Sequence, residues 1–258
     1  MKCRKGAMTM TQRQRQRQTQ AAPSTTRDGC PDAGELRTRS DVRVGVAWSP
    51  GTPVDALGAL AGDDDLHVRL GVACNPSTPV SALRQLAKDM GLPVRREVAR
   101  HPSTPEDVIR RLAEDADVEV QQNVAGNPST PVDVLRALAE GASSDVRRCV
   151  AGNPATSVDV LRVLAEDEVA WVHLWVARNP LTPEDALRVL AVDVACDVRR
   201  EVARHPSTPL DVIRRLAEDA DVEVRGCVTR NPSAPADVLR TLAEDAELAK
   251  LTEFEPPD

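Results

Sequence analysis

A proline preceded by Asn, His or Ser recurs at Pro50, Pro76, Pro102, Pro128, Pro154, Pro180, Pro206 and Pro232, every step 26 residues long. A fixed period of this length decides the architecture, because a unit too small to enclose a core must stack on its neighbours and share one. Eight such units run from Val42 to Ala249, leaving residues 1–41 as a basic N-terminal arm and cap and residues 250–258 as an acidic tail. The few large aliphatics of one unit cannot offset the entropy of ordering its backbone. Stability must therefore reside between units.

The third unit, from Val94 to Glu119, carries two helical signals and none for a strand. Its second half opens on Thr104-Pro105-Glu106-Asp107: a hydroxyl to cap free amides, a proline at the first helical position and acids in the first turn. The same opening recurs at Thr52, Thr130, Thr182 and Thr208 and is weakened at Ser81, Ser157 and Ala234. Val108, Ile109, Leu112, Ala113 and Ala116 then share one face at the helical period, which predicts an α-helix of roughly three turns. In the first half Val94, Val98 and Ala99 share a side. Pro102 ends that segment, since it lacks an amide hydrogen and disfavours helical backbone at His101. The short remainder suits a brief α or 3₁₀ helix.

The string Val-Arg-x-x-Val-Ala-x-Asn-Pro-x-Thr-Pro-x-Asp-x-Leu-x-x-Leu-Ala-x-Asp, spread over all eight units, resembles the leucine-rich repeat variant family. That resemblance implies an all-α, right-handed solenoid in which an α-helix alternates with a 3₁₀-helix. The units here are slightly longer than the family's, with the extra residues in the corner around Ala116 to Glu119. The family's founding member also binds an iron–sulfur centre through an N-terminal cysteine cluster. This head offers only Cys3 and Cys30, where a cluster takes about four thiolates, so no cofactor and no metal site is expected.

Residues 1–40 hold nine cations against three acids, a net +6, so with −7 overall the rest of the chain carries −13. An acidic array disfavours nucleic acid along the repeats, because that affinity is largely phosphate neutralisation. The arm, with Arg13, Arg15 and Arg17 alternating with Gln, has a composition that predicts disorder up to about Arg27. It keeps open an alternative function, anion or nucleic-acid binding through the arm and the Arg ladders. No run approaches the roughly 18–20 apolar residues of a membrane span. Unpaired cysteines fit a reducing, cytoplasmic setting. No phosphate loop, Cys-x-x-Cys or His-Glu-x-x-His is present, and the histidines are scattered, so the chain reads as non-enzymatic.

Arginine recurs in two columns. Arg84, Arg110, Arg136, Arg162, Arg188, Arg214 and Arg240 sit, in most units, between an Asp three residues before and a Glu four residues after, which predicts a ridge salt-bridged along each helix. Arg43, Arg69, Arg95, Arg147, Arg199 and Arg225 flank the buried Val column and are expected to lay their stems over the core and reach acids such as Asp89 or Asp115.

Consensus layers build a scaffold, so departures from it are where specificity resides. The sixth unit departs most: Leu174 where Arg or Gln is commonest, Trp175 where others have Gly, Glu, Asn or Cys, Leu181 for Ser and Val192 for Glu, with Trp171 preceding them. The helical wheel sets Trp171, Leu174 and Trp175 opposite Val172, Val176 and Ala177. Trp171, His173, Leu174 and Trp175 are accordingly the expected partner-binding surface of a monomeric, non-enzymatic protein-interaction scaffold whose partner is a protein of unknown identity. Trp175→Glu is then expected to abolish partner capture without changing the melting temperature.

Overall fold

The computed structural model describes the backbone of residues 33–252 and the side chains of residues 39–244. Among these residues there are sixteen helices and no strand. The first half of each unit supplies the odd helices: α1 (Ala33–Trp48), α3 (Leu66–Cys74), α5 (Leu92–Arg100), α7 (Val118–Gly126), α9 (Ser144–Gly152), α11 (Ala170–Arg178), α13 (Cys196–Arg204) and α15 (Val222–Val228). The second half supplies the even ones: α2 (Val54–Leu60), α4 (Val80–Leu86), α6 (Glu106–Leu112), α8 (Val132–Gly141), α10 (Val158–Leu164), α12 (Glu184–Leu190), α14 (Leu210–Ala217) and α16 (Ala236–Thr252). The solenoid begins earlier than its repeat pattern, because α1 starts at Ala33. The expected disorder of the arm, and Cys3, Cys30 and Phe254, lie outside the described residues.

Consecutive odd helices pack along one another from α1 to α15, whereas even helices touch their even neighbours sparsely. One continuous core fills the space between the layers. The odd helices give it Val94, Val98 and Ala99 and their equivalents, and the even helices give it Val108, Ile109 and Leu112 and theirs, all nearly inaccessible in the second to seventh units. Ala116, expected on this face, is exposed, because the chain has already left the helix.

Two local expectations are corrected. Helices α6, α10 and α12 span 7 residues, about two turns, and the first-half helices α5, α7, α9, α11 and α13 are the longer ones at 9 residues. Both kinds are α. The expected 3₁₀ character is confined to helix ends, in three-residue bonds such as Val94 N to Gly91 O and His101 N to Val98 O. Nor does the threonine cap the second helix: Pro105 occupies that place without a side-chain bond. Thr104 Oγ instead donates to Val98 O at 2.5 Å, as Thr130 does to Val124 and Thr156 to Val150, each at 2.6 Å. The reason is Pro102. It is the fourth residue after Val98, where a helix would supply an amide hydrogen, and it has none. The buried hydroxyl takes its place.

The residue before that proline does more than turn the chain. Asn153 Nδ2 donates to Ala125 O at 2.6 Å and Asn127 O at 2.9 Å in the unit before, while its Oδ1 accepts from Ala155 N at 2.8 Å. Asn75, Asn127, Asn179 and Asn231 repeat the pattern, forming a buried ladder through the corners. His101 and His205 replace it with an imidazole whose Nε2 meets the preceding unit's carbonyl at 3.0 Å and whose Nδ1 accepts from a serine amide. That geometry needs a neutral ring, since a protonated Nδ1 cannot accept. Burial pushes the His205 imidazole below its ordinary value of 6.5. Its contribution is therefore complete above the unfolded-state value and is lost as pH falls through the folded one. His205→Asn is expected to flatten the decline in melting temperature between about pH 7 and 5. An unchanged decline would remove the ring from this role.

Candidate partner-binding surface

The arginines that flank the buried Val column form forks. Arg147 places Nε and Nη2 on the two oxygens of Asp167 at 2.5 and 3.0 Å, and Arg95 and Arg199 hold Asp115 and Asp219 in the same way. The remaining nitrogen reaches back to a corner carbonyl, as in Arg95 to Asp89 O at 2.9 Å. Each fork thus ties an odd helix to the corners on both sides of it. Burial pulls the Asp167 carboxyl up, but the Arg147 fork and the Val169 amide outweigh it and hold the group below the usual carboxylate range. Where the acid is replaced by Gly141, the column carries Gln121, which keeps only the carbonyl bond, to Asp115 O at 2.9 Å.

The arginines of the even helices pair chiefly between units rather than along their own helix. Arg84 meets Asp107 at 3.0 Å, Arg162 meets Asp185 at 2.7 Å and Arg214 meets Asp237 at 2.6 Å, each acid lying 23 residues on. Stacking sets the first turn of the next even helix beside the arginine, and pairing along the helix remains at Arg110, Arg162 and Arg188. Both arginine columns are thereby largely occupied by carboxylates of the chain itself.

The sixth unit separates the four residues expected to act together. Trp171, on the first turn of α11, is 68% exposed, in a column that elsewhere holds His, Pro, Glu or Asp. Leu174 is buried, contrary to expectation. Its column lies flat against the core: Arg96 and Arg200, its equivalents, keep only 29% and 22% of their side chains exposed, so an apolar residue there sinks into the layer. Trp175 is half-buried against the core. Its indole lies over Gly152 of the preceding unit, where a Cβ would fall 2.7 Å from the ring, and the guanidinium groups of Arg148 and Arg178 stand 5.8 and 5.7 Å from its centre. Trp48 and Gly71 pair the same two columns at the start of the array with the tryptophan and glycine exchanged. The indole at 175 is thus fitted to a glycine, and Trp175→Glu is expected to cost stability as well.

His173 occupies the fork column, with Nδ1 at 2.6 Å from Asp193 Oδ2, and so belongs to the scaffold. Its Nε2 is buried without a partner, because an imidazole is too short to reach the corner carbonyl that arginine reaches. Trp171 instead shares a groove with Ser144, Asp145, Arg148, Val169 and Trp175. Arg148 was not among the sequence candidates. Its signal was present: the two equivalent arginines have acids 21 and 23 residues on, and Arg148 has Val169 and Trp171.

Among the described residues no group of His, Cys, Asp or Glu is placed to hold a metal ion, and no helix is long and apolar enough to cross a membrane. The family profile for Leucine rich repeat variant matches residues 94–117 and 197–221. No curated protein matches the chain. Among solved structures, one described as a leucine-rich repeat variant with a novel repetitive protein structural motif is similar over 82% of this chain and 97% of its own, with a TM-score of 0.56 at 23% identity. An engineered protein matches over 82% of this chain and 75% of its own with a TM-score of 0.41 at 20% identity.

Proposed function

We propose, on the premise that this chain is built of leucine-rich repeat variant units, that it is a non-enzymatic scaffold holding a partner protein against the odd-helix surface of its fifth and sixth units. The observation that carries this reading is Trp171, a large indole 68% exposed on a stack whose equivalent positions are polar or Pro. Exposed tryptophan is among the costliest residues to leave in water and among the most productive at a protein interface. The neighbouring Trp175, braced by two arginines, gives that contact a rigid floor. Cytoplasmic residence and a monomeric state complete the proposal. Cys74, Cys149, Cys196 and Cys227 are free, and burial pushes the Cys74 thiol up to about 11, so it is a poor nucleophile.

A photo-crosslinker at position 171 should capture a partner that one at position 111 does not, and the purified partner should lose binding to Trp171→Glu. The melting temperature and helical circular dichroism of that variant are expected to match the parent. Equal partner binding by parent and variant would remove Trp171 from the interface.

A further inference from the structure

The array contains its own description of what the groove beside Trp171 receives. In the third unit Arg96 lies between Asp117, at 3.5 Å, and Glu119, with which it forms an ion pair. In the seventh, Arg200 meets Asp221 at 3.1 Å and Glu223 at 3.0 Å. Arg148 holds the same register in the fifth unit, but the residues 21 and 23 positions on are Val169 and Trp171. It forms no ion pair with a described residue and rests on the Trp175 ring. Arg178, which also stands over that ring, is already taken by Glu201 at 3.1 Å.

We propose that Arg148 and Trp171 dock an acidic segment of the partner, whose Asp or Glu carboxylate takes the place of the two carboxylates that the third and seventh units carry internally. This rests on the interaction surface proposed above and names its chemistry. Charge complementarity selects the occupant: a guanidinium without an acid, in a register whose other two arginines each hold two, beside an exposed apolar ring that accepts the neighbouring aliphatic or aromatic residue. Asp145 lines the same groove without pairing to Arg148. It is no obstacle, because Arg200 accommodates Asp197 at 3.1 Å together with both incoming carboxylates.

A displayed library of random peptides selected on the full chain tests this, with the enriched peptide synthesised in acid and amide forms and titrated through tryptophan emission. Enriched sequences are expected to carry Asp or Glu beside an apolar residue. Affinity should fall at least tenfold for the amide form and for Arg148→Gln, and stay level for Arg200→Gln. Val169→Asp combined with Trp171→Glu rebuilds the internal pair, and should abolish binding while raising the melting temperature; a double variant that still binds overturns the assignment. Binding lost in Trp171→Ala but untouched by Arg148→Gln and by the amide overturns the carboxylate alone and leaves the Trp171 surface standing. Failure to enrich any peptide, or binding that no variant alters, overturns both.

Discussion

Asn153→Ala is expected to lower stability by about 3 kcal/mol, three lost hydrogen bonds at roughly 1 kcal/mol each, and to weaken the array at its centre. The side chain, itself buried, donates to two buried carbonyls of the preceding unit and accepts a part-buried amide of its own corner. Because neighbour coupling makes stacked units unfold together, a urea melt should show an earlier midpoint and a broader transition with a smaller apparent slope. Asn153→His is the matched control, since the imidazoles of His101 and His205 already serve in that column. It should be close to neutral above pH 7. A parental melt for Asn153→Ala would mean that the ladder adds nothing to coupling.

Leu161→Ala should cost roughly 2–5 kcal/mol, the range for a large aliphatic removed from a closed core. Leu161 in α10 is fully inaccessible and belongs to the core shared between layers. Val163, two residues on in the same helix, is 59% exposed, and Val163→Ala should stay within about 0.5 kcal/mol. Denaturant midpoints of the pair separate burial from helix propensity. Equal effects would show that α10 is not seated as described.

The stacked helical architecture was legible because its determinants are local and repeat: the period, the apolar faces and the Arg95–Asp115 fork all follow from the order of residues. What was missed depends on contacts between units. Thr104 was read as a cap for the helix after it, because sequence places it there; its hydroxyl turns the other way because Pro102 denies Val98 O the amide that a continuing helix would supply. The asparagine column served only to mark the repeat, since nothing within one unit discloses that its amide crosses to the unit before. At the candidate site a wheel could assign Trp171 to the outside, but it treats a helix as standing alone. The depth of Leu174 and the seat of Trp175 on Gly152 are set by the neighbouring helix. Comparing the same register across units would have found Arg148, whose missing acids are evident in the sequence itself.

The close stacking of the odd helices and the sparse contact between even ones have a mechanical meaning. A beam bends most easily about the side where its segments are tied and opens on the side where they are not. Here the ties are the asparagine ladder and the packed odd layer, which resist stretching, while the even layer is joined across units largely by exposed pairs such as Arg84 with Asp107. Such pairs re-form at slightly different separations at little expense. The molecule should therefore flex like a spine, its even helices fanning apart or closing up around an axis that runs through the buried amides. Trp171 and Arg148 sit on the tied side. A partner held there would ride on the least deformable strip of the molecule while the opposite edge splays.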